Sequence, residues 1–273
     1  MTDNVQQKGG FAAATPPVTA SMITTGTDGL DTVTIDLNVD GQAVPVYVAR
    51  PAGKSELPAN LPVILVVSEI FGVHEHIADV ARRFARQGYL ALAPHLFVRQ
   101  GDPSAIADIP TLFRDIVSQA PDAQVNGDLD ACVAWAAQNG GDVARLGITG
   151  FCWGGRVTWL YAAHNPAVRA GVAWYGRLAG DINDKQTSHA VDVAPALTVP
   201  VLGLYGARDT GIPLDTVDAM KAALAQGSSG SEIVVYPDAG HAFYADYRPS
   251  YRAPEAQDGW TRALAWFARH GVA

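Results

Sequence analysis

The chain has 273 residues, 48% of them hydrophobic, and carries 19 Lys and Arg against 27 Asp and Glu, a formal charge of −8. An acidic chain with no basic run has no footprint for nucleic acid or for an anionic membrane surface, so any anionic ligand would need a local group of arginines. No apolar run approaches the roughly 20 residues of a spanning helix. Two cysteines, Cys132 and Cys152, are too few for a disulfide scaffold and read as free thiols in a reducing compartment.

Residues 1–30 hold one lysine and a short apolar stretch broken by Pro16 and Pro17, unlike a secretory leader, so a cytoplasmic protein is expected. Residues 1–25 read as a flexible or surface-wrapping tail. Residues 26–273 read as a single domain, since no repeat or linker divides them. Two alternating runs, Val33 to Val39 and Val44 to Val48, flank Asp40-Gly41 and predict an antiparallel hairpin. Beyond it, continuous apolar runs alternate with helical patterns, which predicts βα units around a parallel sheet. The runs are 62–67, 89–93, 146–149, 170–175, 201–205 and 232–236. Helical spacing covers 74–87, about 123–139, the stretch through Val157 to Leu160, and a closing helix carrying Trp260, Leu264 and Phe267. A further short helix is expected in the polar connection after Pro94.

Gly150-Phe151-Cys152-Trp153-Gly154-Gly155 lies between a strand and a helix. It is a cysteine version of the nucleophile elbow, a sharp turn that lifts a nucleophile above the carboxyl edge of a sheet. The helix N-terminus favours thiolate, and the backbone N–H of Trp153 points where an oxyanion would develop. Asp209 follows the strand ending at Tyr205, and His241 follows the strand ending at Tyr236. Nucleophile, acid and histidine thus occur in the order of an α/β-hydrolase, each at a strand end. Cys152 would attack an acyl carbon, His241 would take and return the proton, and Asp209 would fix the imidazole tautomer. A thioester intermediate suits activated esters and lactones, because thiolate is itself readily expelled from an amide adduct.

These residues, with Ser68-Glu69-Ile70-Phe71-Gly72, Pro94-His95-Leu96-Phe97-Val98-Arg99-Gln100, Gly206-Ala207-Arg208-Asp209 and Gly240-His241-Ala242-Phe243, resemble the dienelactone hydrolase (carboxymethylenebutenolidase) family over most of the chain. The resemblance implies an α/β-hydrolase fold: a mostly parallel twisted sheet of about eight strands with helices on both faces. It implies that Glu69 faces Cys152 and helps activate the thiol when substrate binds, and that the N–H of Ile70 is the second oxyanion donor. It implies that Arg99 holds a substrate carboxylate, with Phe71 and Tyr244 beside the substrate. The family's second arginine, shortly after the histidine, is missing from its register here. Arg248 and Arg252 lie further along.

His74 and His76 suggest a metal, but i and i+2 on a helix point to different faces, so no metal is expected. Trp135, Trp153, Trp159 and Trp174 read as core or pocket-lining, and the glycines fit no nucleotide-binding pattern, so no cofactor is implied. The reading is a hydrolase of a small, carboxylate-bearing lactone or ester, acting as a monomer or small homo-oligomer in aromatic-compound degradation. The alternatives are a broad-specificity carboxylesterase and a non-catalytic ligand-binding or redox-responsive protein on the same fold.

Overall fold

A computed structural model describes residues 19–53 and 60–273. Strands β1 (Leu30–Val39) and β2 (Gln42–Pro51) pair antiparallel across Asp40 and Gly41. Both turn residues have positive φ, 52° and 80°, the backbone a two-residue hairpin needs if its strands are to keep their right-handed twist. The sheet continues with β3 (Leu61–Val67), β4 (Leu90–Pro94), β5 (Gly141–Phe151), β6 (Val168–Trp174), β7 (Val201–Gly206) and β8 (Glu232–Tyr236). Its order is β1-β2-β4-β3-β5-β6-β7-β8, antiparallel at the hairpin edge and parallel from β4 to β8.

The central strands are apolar throughout because both faces are covered: Val63 to Val67 have no exposed surface. On one face, α1 (Glu75–Arg86) meets α7 (Ala253–Arg269), where Phe84 packs against Trp260 and Phe267. On the other, α3 (Asp122–Gln138) meets α4 (Trp153–His164), with Tyr161 donating to Asp130 at 2.8 Å. The short helix expected after Pro94 is α2 (Ile109–Asp115), capped by Asp108. Two helices have no counterpart in the sequence reading, α5 (Ala190–Val193) and α6 (Leu214–Leu224). Only Val217, Met220 and Ala223 of α6 are buried, a stripe too thin and too small to stand out as a periodic pattern.

Most of the expected tail, residues 1–18, lies outside the described residues. The part that is described makes a short 3₁₀ turn at Thr19–Ser21 and runs along α1 to the start of β1. Both cysteines are free, Cys132 buried within α3 and Cys152 half-buried. Among the described residues no helix is long and apolar enough to cross a membrane.

Candidate active site

The carboxyl ends of β3, β5, β6, β7 and β8 converge on Cys152. This residue follows β5 directly and precedes α4, with φ 55° and ψ −113°. Such backbone costs a non-glycine residue about 1–3 kcal/mol and persists only where its surroundings enforce it. Here Cys152 N donates to Trp174 O at 3.0 Å, and Cys152 O accepts from Gly155 N at 3.0 Å. The next turn has no room for a Cβ: one on Gly154 would lie 2.4 Å from Val67 O and 2.6 Å from Ser68 O. That close approach brings the Ser68-Glu69-Ile70 segment against the start of α4, whose first N–H groups, that of Trp153 included, have no intrahelical acceptor. Trp153 itself is buried, its ring 4.5 Å from that of Phe97.

Asp209 and His241 meet because their loops are pressed together. A Cβ on Gly206 would lie 2.3 Å from Ala239 O, and Arg208 N donates to Ala239 O at 2.9 Å. Asp209 is buried; its Oδ1 accepts from Gly211 N at 2.8 Å, and its Oδ2 lies 2.7 Å from His241 Nδ1. The imidazole therefore carries Nδ1–H toward the carboxylate and leaves its other nitrogen for the neighbouring Cys152 sulfur. Burial pushes the His241 pKa down, but the sulfur of Cys152 and the Asp209 carboxylate outweigh it and hold the ring well above the ordinary histidine value. Such a ring can give a proton to a leaving group at neutral pH.

Glu69, 1% exposed, sits just past β3. Tyr247 Oη donates to its Oε2 at 2.5 Å, His74 Nε2 lies 3.6 Å from the same oxygen, and Arg248 Nη1 lies 3.8 Å from Oε1. Burial, the largest influence, raises the carboxyl pKa; the neighbouring His74 imidazole and the Arg248 guanidinium overcome it and hold the group near 2. Arg248 also lies over the ring of Phe71, 5.8 Å from its centroid, so Phe71 forms the wall beneath this guanidinium.

Two expected substrate contacts are not brought to Cys152. Arg99 makes a bidentate pair with Asp128 of α3, at 2.7 and 2.9 Å, and donates to Val39 O at 3.2 Å. Val39 belongs to β1, four strands from β5 and so roughly 19 Å away. The motif fixes the position of Arg99 in the chain, but a buried carboxylate on another helix fixes its direction. Tyr244 is buried in an aromatic stack with Trp174 (4.4 Å) and Phe151 (5.2 Å). Its hydroxyl accepts from Arg83 at 3.3 Å. It borders a cavity of about 420 Å³ between α1 and α7, which Ile23, Arg86 and Trp260 also line and Cys152 does not.

Arg248, and not Arg252, is the arginine at the site; Arg252 pairs with Glu255 near the surface. Two further residues were not singled out from the sequence: Tyr247, and Tyr175, whose ring meets His241 edge-on at 5.2 Å. The histidine pair also differs from expectation. His74 is the N-cap of α1, with extended φ and ψ of −102° and −179°, so helical spacing does not apply to it. Its ring stacks on His76 at 6.1 Å, and both rings face Tyr247, at 5.0 and 5.1 Å. Among the described residues no group of three His, Cys, Asp or Glu side chains is arranged to hold a metal ion.

The sheet order, the elbow and the strand-end residues define an α/β-hydrolase fold. A model of the dienelactone hydrolase family matches residues 44–271, and the chain belongs to that family, a family of hydrolases. It is 53% identical over 265 residues to an Escherichia coli K12 protein named "Putative carboxymethylenebutenolidase", covering 97% of both chains. It is 31% identical over 238 residues, 86% of this chain and 93% of the other, to a Bradyrhizobium protein named "Probable 2-oxo-3-(5-oxofuran-2-ylidene)propanoate lactonase". A crystal structure of a "Putative Dienelactone Hydrolase" from Klebsiella pneumoniae is 56% identical and superposes with a TM-score of 0.85, over 88% of this chain and 98% of that one.

Proposed function

We propose that this hydrolase opens small lactones or esters bearing a carboxylate, with Cys152 as nucleophile, His241 as proton carrier and Asp209 as the group that orients it. The observation that carries the reading is the strained Cys152 elbow set against the His241–Asp209 pair. The thiolate attacks the acyl carbon, and the oxyanion gathers at the N–H groups of Trp153 and Ile70. The C–O bond breaks, the leaving oxygen takes the proton from His241, and a thioester remains on Cys152. Water, deprotonated by His241, then attacks the thioester; the acid leaves and the thiol is restored.

Arg248 supplies the substrate carboxylate with its partner, above the wall made by Phe71. This guanidinium faces Glu69. A substrate carboxylate at Arg248 competes for it and loosens Glu69, which gives the expected part of Glu69 in thiol activation a physical route. The lactonase name of the Bradyrhizobium relative agrees with a lactone substrate.

Cys152→Ala should lower turnover of a carboxylate-bearing dienelactone by at least about a thousandfold while the protein stays folded by circular dichroism, since removal of a nucleophile leaves only binding and oxyanion contributions. Mass spectrometry of the wild type quenched during turnover should find an acyl adduct on Cys152. Full activity in Cys152→Ala would sink the reading.

A further inference from the structure

Helix α1 carries a group of ionised side chains that the chemistry above does not use. Asp79 and Arg82 are 3% and 7% exposed, and Arg83 is 12% exposed. Asp246, 2% exposed, joins them from the loop after His241. Arg83 bonds to both carboxylates, with Nε to Asp79 and Nη2 to Asp246. His76 Nδ1 lies 3.3 Å from the other oxygen of Asp246. Burying such a group gives little net stability, because desolvation offsets the attraction and apolar packing of the same volume does as well or better.

What completes the group is the segment before the sheet. Thr25 donates its N–H to Asp79 Oδ1, and its hydroxyl reaches Oδ2 at 3.3 Å. The carbonyls of Thr25, Ile23 and Gly26 accept from Arg82, Arg83 and Arg86 at 2.7, 3.4 and 3.1 Å. Ser21 Oγ donates to the backbone oxygen of Asp246 at 2.6 Å. The segment 21–26 thus ties α1 and Asp246 together.

Asp246 stands next to Tyr247 and two residues before Arg248, the partners of Glu69. Their loop is closed on itself by Ala245 N to Ala242 O (3.0 Å), Arg248 N to Ala245 O (2.9 Å) and Arg252 N to Phe243 O (2.9 Å). A loop so braced moves as one piece, and its placement over Glu69 is set by its outside anchors. We infer that the segment 21–26, acting through Asp79, Arg83 and Asp246, is a positioning strap that sets Arg248 for recognition of an anionic substrate. The inference rests on Arg248 being the carboxylate partner.

The test is steady-state kinetics of full-length Asp246→Asn and Ser21→Ala on a carboxylate-bearing dienelactone and on neutral p-nitrophenyl acetate, with Arg248→Gln as reference. A displacement of about 1 Å suffices for a large kinetic effect. Asp246→Asn should raise KM for the anionic lactone about tenfold and Ser21→Ala about two- to threefold, while kcat/KM for the neutral ester stays within about twofold. A merely structural role would lower both substrates together and would also overturn the strap, as would no change in either. If Asp246→Asn fails to fold, Ser21→Ala decides the matter, since it removes one hydroxyl at the edge of the protein. A null result for Arg248→Gln would remove the reading of the site and the strap with it; a normal Arg248→Gln effect beside unaffected strap variants would overturn the strap alone.

Discussion

Two tyrosines at the site are alike in burial and opposite in bonding. Tyr247 gives its hydroxyl to the ionised Glu69 at 2.5 Å. Tyr175 Oη is buried and, among the described residues, has no hydrogen-bond partner, and its backbone is held at φ 37°. A hydrogen bond to a charged acceptor contributes about 1.5–3 kcal/mol, whereas an unsatisfied buried hydroxyl costs about 1–3 kcal/mol. Tyr247→Phe should therefore lower the unfolding free energy by about 2 kcal/mol in urea titration, and Tyr175→Phe should leave it unchanged or raise it. Equal losses in the two variants would show that the rings and not the hydroxyls carry the energy.

At the scale of elements, the decisive contact is the crossing of α4 over the end of β3. Since a Cβ on Gly154 would meet backbone oxygens at 2.4 and 2.6 Å, Gly154→Ala has to push the Ser68-Glu69-Ile70 segment away from the elbow. The expected outcome is a loss of several kcal/mol in stability, or a folded protein in which kcat falls by at least about a hundredfold because the two oxyanion donors no longer face one oxygen. Circular dichroism melting and turnover measured on one sample check this; wild-type values for both would show that the crossing accommodates a methyl group. The same elements explain what the sequence made legible. Continuous apolar runs marked β3 to β8, and Cys152, Asp209 and His241 were readable because each lies at or just past a strand end, where topology alone brings residues together. Arg99, Tyr244 and Arg248 lie on loops whose side-chain directions are set by partners far away in sequence, such as Asp128 and Arg83, which no local pattern displays. His74 stands at the helix start as expected, but its position one residue outside α1 frees its side chain from helical spacing.

At the scale of the whole molecule, buried ionised groups make stability depend on pH, and the direction follows from Glu69. Its pKa falls from 4.5 to about 2 on folding, so its interactions contribute fully above pH 4.5 and are lost as pH falls through about 2. A depression of that size corresponds to about 3 kcal/mol. His241 acts in the opposite sense: its raised pKa contributes stability below the ordinary histidine value that is lost as pH rises through the raised one. The two windows overlap between the ordinary carboxylate and histidine ranges, and the protein should be most resistant to unfolding on that mildly acidic plateau. Glu69→Gln separates the contributions, because glutamine resembles the protonated acid and cannot titrate. The gap in unfolding free energy between wild type and Glu69→Gln should be about 3 kcal/mol at pH 7, narrow steadily below pH 4.5 and close near pH 2. Denaturant titrations at half-unit pH intervals measure it. A gap that stayed constant from pH 7 to pH 3 would mean that Glu69 is held by packing and neutral hydrogen bonds, and that the charge of Arg248 does not keep it ionised.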